Sequence, residues 1–169
     1  MPLELIEKIK VAFATVEYPG DRDITSSTYG EEPAALQREF IGKRDWRSID
    51  SKFLDQSPEG WHTALSFFSD RAFHFYLPAY LIADLQEELT EVYPEFHLYY
   101  GLTATNENTK IADIWGGGTV GSHARQRFNH FSTAQAAVIV DYLQWHLSSS
   151  EDPEIIQALD NYWFHRIRQ

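Results

Sequence analysis

The chain has 169 residues, a length that suits one domain over 1–169 with a core of useful size. Its formal net charge of -11 argues against nucleic acid, whose binding normally needs a basic face, and disfavours anionic membrane surfaces, so neither is expected as a partner. The absence of cysteine excludes disulfides, thiolate catalysis and any metal site built on Cys ligands.

Hydrophobic residues at 43% and aromatics at 15% are the composition of a folded chain. The opening MPLELIEKIK is amphipathic and lacks the apolar core of a secretory signal, and no apolar run reaches membrane-spanning length. A cytoplasmic location is the expectation.

The first helix is marked by Leu5, Ile6, Ile9, Ala12, Phe13 and Val16 at helical spacing, with Glu4 and Lys8 as an exposed i,i+4 pair. Tyr18-Pro19-Gly20-Asp21 ends it with strong turn chemistry, and a polar loop follows through Tyr29 and Gly30. Pro33 then stands in a first helical turn, Leu36 and Phe40 point one way, and Gly42 is a natural stop. Trp46, Ile49, Phe53 and Leu54 are spaced for another short helix or a packed helical turn. The same stretch holds the main cluster of positive charge, Arg38, Lys43, Arg44, Arg47 and Lys52, interleaved with Glu39, Asp45 and Asp50. Pro58-Glu59-Gly60 reads as a turn, and Trp61 to Phe68 leads on from it.

The central stretch, 66–89, organises the rest. Ser69 is a plausible N-cap, and Phe73, Leu77, Leu81, Leu85 and Leu89 recur every four residues. Phe75, Tyr76, Tyr80 and Ile82 make other faces apolar as well, the mark of a helix surrounded by other helices. Pro78 removes a donor to the carbonyl of His74. Because the stripe stays in phase through it, one kinked helix is favoured over two short ones. Tyr76, Tyr80 and His74 are the members whose polar ends can reach a cleft.

No Lys or Arg lies between Arg71 and Lys110, whereas Asp84, Glu87, Glu88, Glu91, Glu95 and Glu107 are acidic. The runs 96–104 and 110–115 allow a small β-hairpin, and Gly116 to Arg127 reads as irregular. Ser132 and Gln135 form a capping box for a helix through Leu147. Asp152 caps a last helix with Pro153 at its first position and Ile156, Leu159, Trp163 and Ile167 on its buried face. The fold class is therefore mainly α, a single-domain helical assembly around a Pro-kinked central helix.

Motifs for chemistry are sparse. Gly116, Gly117 and Gly118, with Thr119, Val120 and Gly121, match the G-x-G-x-x-G spacing, and Asp141 lies about twenty residues on. A dinucleotide fold would need further βα units, for which the remaining chain has no room. A plain glycine-rich loop is the better account, with a phosphate-bearing ligand at that loop as the sharper alternative. The seven histidines form no metal signature: His123 and His130 are seven apart, and Asp70 and His74 make only a helical pair. Glu31-Glu32 and Glu87-Glu88 read as solvated carboxylates, and no serine sits in a nucleophile elbow. No catalytic motif, metal or cofactor is expected. The acidic span from Asp84 to Glu95, with Tyr93, Tyr99 and Tyr100 as anchors, is the feature that points towards a basic protein partner.

Several segments together resemble a known family. They are Tyr18-Pro19-Gly20-Asp21, Phe40-Ile41-Gly42 with Trp46, Leu65 to Phe73 running into Phe75-Tyr76-Leu77-Pro78-Ala79-Tyr80-Leu81, Phe131-Ser132-Thr133, and Ala158-Leu159 with Tyr162-Trp163. The chain is similar to small, acidic, mostly bacterial proteins that share a domain of unknown function. That resemblance implies a soluble domain and brings no catalytic residues. The functional expectation is a non-enzymatic binding or interaction protein, immunity-like or regulatory. The alternative is a small-molecule or phosphate-ligand binder, or an enzyme, using Tyr18 and Asp21 of the YPGD turn together with the glycine-rich loop.

Overall fold

A computed structural model describes residues 2–27, 29–56 and 64–168. The turn expected at Pro58-Glu59-Gly60 and the start of the lead-in at Trp61 lie outside the described residues. The chain is mainly helical and falls into two units, Met1–Pro94 and Glu95–Gln169.

In the first unit α1 (Pro2–Ala12) buries Leu5, Ile6 and Ile9, and it packs against the helix at Asp70–Leu85. Phe13 follows, fully buried and edge-on to the ring of His74 at 6.0 Å. Helix α2 (Glu31–Phe40) places Pro33 in the first turn, where its missing N–H costs nothing, and buries Leu36 and Phe40. Gly42 follows with φ +80°, a conformation that favours glycine. A 3₁₀ turn at Trp46–Ser48 and the short α3 (Ser51–Leu54) are capped by Asp45 and Asp50, which accept the amides of Arg47 and Phe53.

Helix α4 (Ala64–Phe67) ends just before Ser69, whose hydroxyl caps α5 (Asp70–Leu85) by accepting the amide of Ala72 at 3.0 Å. The same hydroxyl donates to the carbonyl of Asp23 at 2.6 Å. Helix α5 runs unbroken through Pro78, so the central segment is one helix, not two. It is shorter than the expected 66–89. Ser66 and Phe67 belong to α4, and the chain leaves the helix after Gln86, with Glu87 at φ +58°. Phe73, Tyr76, Leu77, Tyr80 and Leu81 are all fully buried or nearly so. Phe40, Phe68 and Tyr76 form a tight ring cluster with centroids 4.8–5.2 Å apart.

The second unit corrects two expectations. The hairpin over 96–104 and 110–115 does not form. Phe96–Tyr99 is a helical turn, α6, and Asp113–Trp115 is a 3₁₀ turn. A lone antiparallel bridge, Lys110 with Thr119, is the extended pairing found there among the described residues. The apolar run is short enough to serve either structure, and it forms a single helical turn that buries Leu98. The stretch from Gly116 is irregular only to Thr119, beyond which α7 (Val120–Phe128) is a regular helix. Thr119 and Ser122 make a reciprocal capping box that outweighs the helix-weakening Gly121. Gly121 is required by close approach: a Cβ there would lie 2.7 Å from the carbonyl oxygen of Glu107.

Helix α8 (Thr133–Leu147) starts at the Ser132–Gln135 capping box, with both reciprocal bonds formed. The last helical segment comprises α9 (Pro153–Ala158), a π turn (Leu159–Trp163) and α10 (Phe164–Ile167), and Asp152 caps it. Its buried face is Ile155, Ala158, Leu159, Tyr162 and Trp163, whereas Ile156 is 44% exposed. The buried positions 155, 158, 159, 162 and 163 keep regular helical spacing through the π turn, and the expected stripe differs from them by starting at Ile156 in place of Ile155. Trp163 donates its indole N–H to the carbonyl of Leu98 at 2.9 Å, and Asn161 its amide to that of Leu102 at 2.9 Å.

Candidate functional site

The YPGD turn is docked, not free. The Tyr18 hydroxyl donates to Oδ1 of Asp21 at 2.7 Å. The Gly42 amide donates to both, at 3.2 Å to Tyr18 and 3.1 Å to Asp21. Arg44 adds an exposed ion pair to Oδ2 of Asp21 at 3.3 Å, and the side-chain amide of Gln37 donates to the Asp21 carbonyl. Phe75 meets the Tyr18 ring edge-on at 5.5 Å. Burial and the Asp21 carboxylate raise the Tyr18 pKa, while the hydrogen bond from Tyr18 holds Asp21 below its usual value.

Beneath this turn the Tyr76 hydroxyl donates to the carbonyl of Lys43 at 2.9 Å, with that of Phe40 at 3.3 Å. Burial, then the nearby Tyr18, drives its pKa far up, so it is a neutral hydrogen-bond donor. Tyr80 is also raised by burial, and its hydroxyl has no hydrogen-bond partner among the described residues. His74 is half-buried against Phe13. Tyr18, Asp21 and Tyr76 thus gather around the end of α2, while Tyr80 sits deeper in the core.

A second arrangement in the same unit was not foreseen from sequence. Both oxygens of Asp55 accept the Thr90 amide, Oδ2 accepts the Thr90 hydroxyl at 2.7 Å, and Oδ1 also takes the amides of Glu91 and Val92. Burial pushes this carboxyl up, but the Thr90 hydroxyl and the three amides outweigh it and hold the pKa down. The acidic segment is therefore pinned to α3. Beside it lies an open groove of about 580 Å³ lined by Ser51, Lys52, Asp55, Gln56, Glu88 and Glu91. Glu87, Glu88 and Glu91 are exposed, and Tyr93 is 62% exposed. No local signal links Asp55 to a backbone segment thirty-five residues away.

In the second unit Gly116, Gly117 and Gly118 all have positive φ, at +103°, +66° and +75°. The turn they make closes on itself. His123 Nε2 lies 2.8 Å from the Gly117 carbonyl oxygen, and the amides of Gly116 and Gly117 donate to Asp113 and Ala112. At the start of α7 the amides of Thr119, Val120, Gly121, Ser122 and His123 all donate within the chain. A phosphate at this helix end would have to displace bonds already made. Elsewhere in this unit burial, then Arg127, lowers His97 to about 4, and burial, then Glu154, raises Tyr99 to about 12.

These sites define a helical protein whose polar clusters are docked turns and an acidic groove. A family model described as a family of unknown function, DUF6714, matches residues 1–167, and the chain belongs to that family. No curated protein and no solved structure matches it. Among the described residues no helix is long and apolar enough to cross a membrane.

Proposed function

We propose that the protein is a cytoplasmic binding module that takes a Lys- or Arg-bearing segment of another protein in the acidic groove beside α3. The observation that carries this is the Asp55 clamp. By holding the backbone at 90–92, it fixes the acidic segment in place before any partner arrives. Glu88 and Glu91 offer carboxylates on the rim, and exposed Tyr93 supplies an aromatic anchor beside them in sequence. The overall charge of -11 steers a cationic partner towards the protein.

Fluorescence anisotropy with labelled Arg- and Lys-rich peptides, against acidic and neutral controls, is the direct test. Binding of the basic peptides should weaken as salt rises and should drop at least tenfold in a Glu88→Gln, Glu91→Gln double variant. Affinity indifferent to salt, or unchanged in the double variant, removes the groove from the account. The proposal treats 1–169 as one domain, and a single cooperative unfolding transition seen by both fluorescence and circular dichroism is its corollary.

A further inference from the structure

We propose that Glu95, His146 and Tyr142 of the second unit form a binding site for a divalent transition-metal ion such as Zn²⁺. His146 and Tyr142 stand one turn apart on α8, and Glu95 immediately precedes α6. Nε2 of His146 lies 3.8 Å from Oε2 of Glu95 and 3.0 Å from the Tyr142 hydroxyl.

The first distance is too long for a hydrogen bond. It suits two donors of one coordination sphere. Ligand atoms about 2.0–2.2 Å from a shared ion stand roughly 3–4 Å apart across ordinary bond angles, and both measured distances fall in that range.

Burial supports the same reading. Oε2 of Glu95 is shut off from solvent, and a carboxylate oxygen withdrawn from water is stabilised by a cation beside it. The Glu95 and His146 side chains keep 17% and 20% exposure, which leaves a way in. The imidazole is held by edge contacts to Tyr142 at 4.9 Å and Trp145 at 4.8 Å, so a ligand is oriented in advance. One imidazole and two oxygen donors suit Zn²⁺ or a neighbouring transition metal better than Mg²⁺ or Ca²⁺. The ion replaces the Tyr142–His146 hydrogen bond, and water completes its shell.

The test is calorimetric titration of the full chain, stripped with EDTA, with Zn²⁺, and then with Co²⁺ followed by its visible absorption. One ion per chain should bind saturably. Glu95→Gln and His146→Gln should each weaken binding at least tenfold, whereas the surface control His165→Gln should not. Circular dichroism checks that each variant keeps its helicity, and either folded variant suffices for the comparison. Absence of saturable binding, or affinity equal in wild type and variants, overturns the proposal.

Discussion

Thr90 gives Asp55 both its amide, at 3.0 and 2.9 Å to the two carboxylate oxygens, and its hydroxyl, at 2.7 Å. Asp55→Ala should therefore destabilise the protein by about 1–2 kcal/mol, the range for losing charge-assisted bonds at a half-exposed site. Urea unfolding measures this, and hydrogen exchange at 90–92 should quicken in the variant. The pKa of Asp55 is lowered on folding, so its stabilisation is present above the unfolded carboxyl value and is lost as pH falls through the folded one.

Tyr76 and Tyr80, one turn apart on α5, should respond oppositely to loss of a hydroxyl. Tyr76→Phe leaves the Lys43 carbonyl without its 2.9 Å donor and should cost about 1–2 kcal/mol. Tyr80→Phe removes a buried hydroxyl with no partner among the described residues, and should be neutral or stabilising by up to about 1 kcal/mol. Chemical denaturation of the pair gives the comparison directly.

His97 provides a pH signature. Its pKa falls from 6.5 to about 4 on folding, so between these values the unfolded chain takes up a proton that the native one refuses. Its contribution is complete above about pH 6.5 and is lost as pH drops towards 4. NMR titration of the ring should give a midpoint near 4. His97→Gln should flatten the stability profile across that window.

Gly121→Ala tests the packing of the glycine-rich region. The new methyl would stand 2.7 Å from the Glu107 carbonyl oxygen and 3.0 Å from that of Gly101, both backbone atoms. A loss of about 1–3 kcal/mol is expected, read as a lower melting temperature.

What could be read from sequence was local. Ser69, Ser132 and Asp152 announce their helices because a cap and the amides it serves lie within three residues. The mainly helical class follows from those caps and the apolar stripes between them. A short apolar run such as 96–104 fits the strand and the helix period alike, and Gly121 with the three glycines before Thr119 masks the start of α7. The docking of Tyr18 and Asp21 on Gly42 and the clamp of Asp55 on Thr90 depend on chain approach over twenty or more residues. Propensity and periodicity carry no record of such approaches.

The π turn at Leu159–Trp163 holds about one residue more than an α-helical turn, so it is the place in the last helix where a one-residue deletion is absorbed. Removing the exposed Asp160 would let an ordinary α-helix close there while the segments on either side keep their faces. Arg166 would still donate to Asn129 and to the carbonyl of Phe131. Removing His165 from the regular turn of α10 finds no such slack and would turn Arg166 away by about 100°.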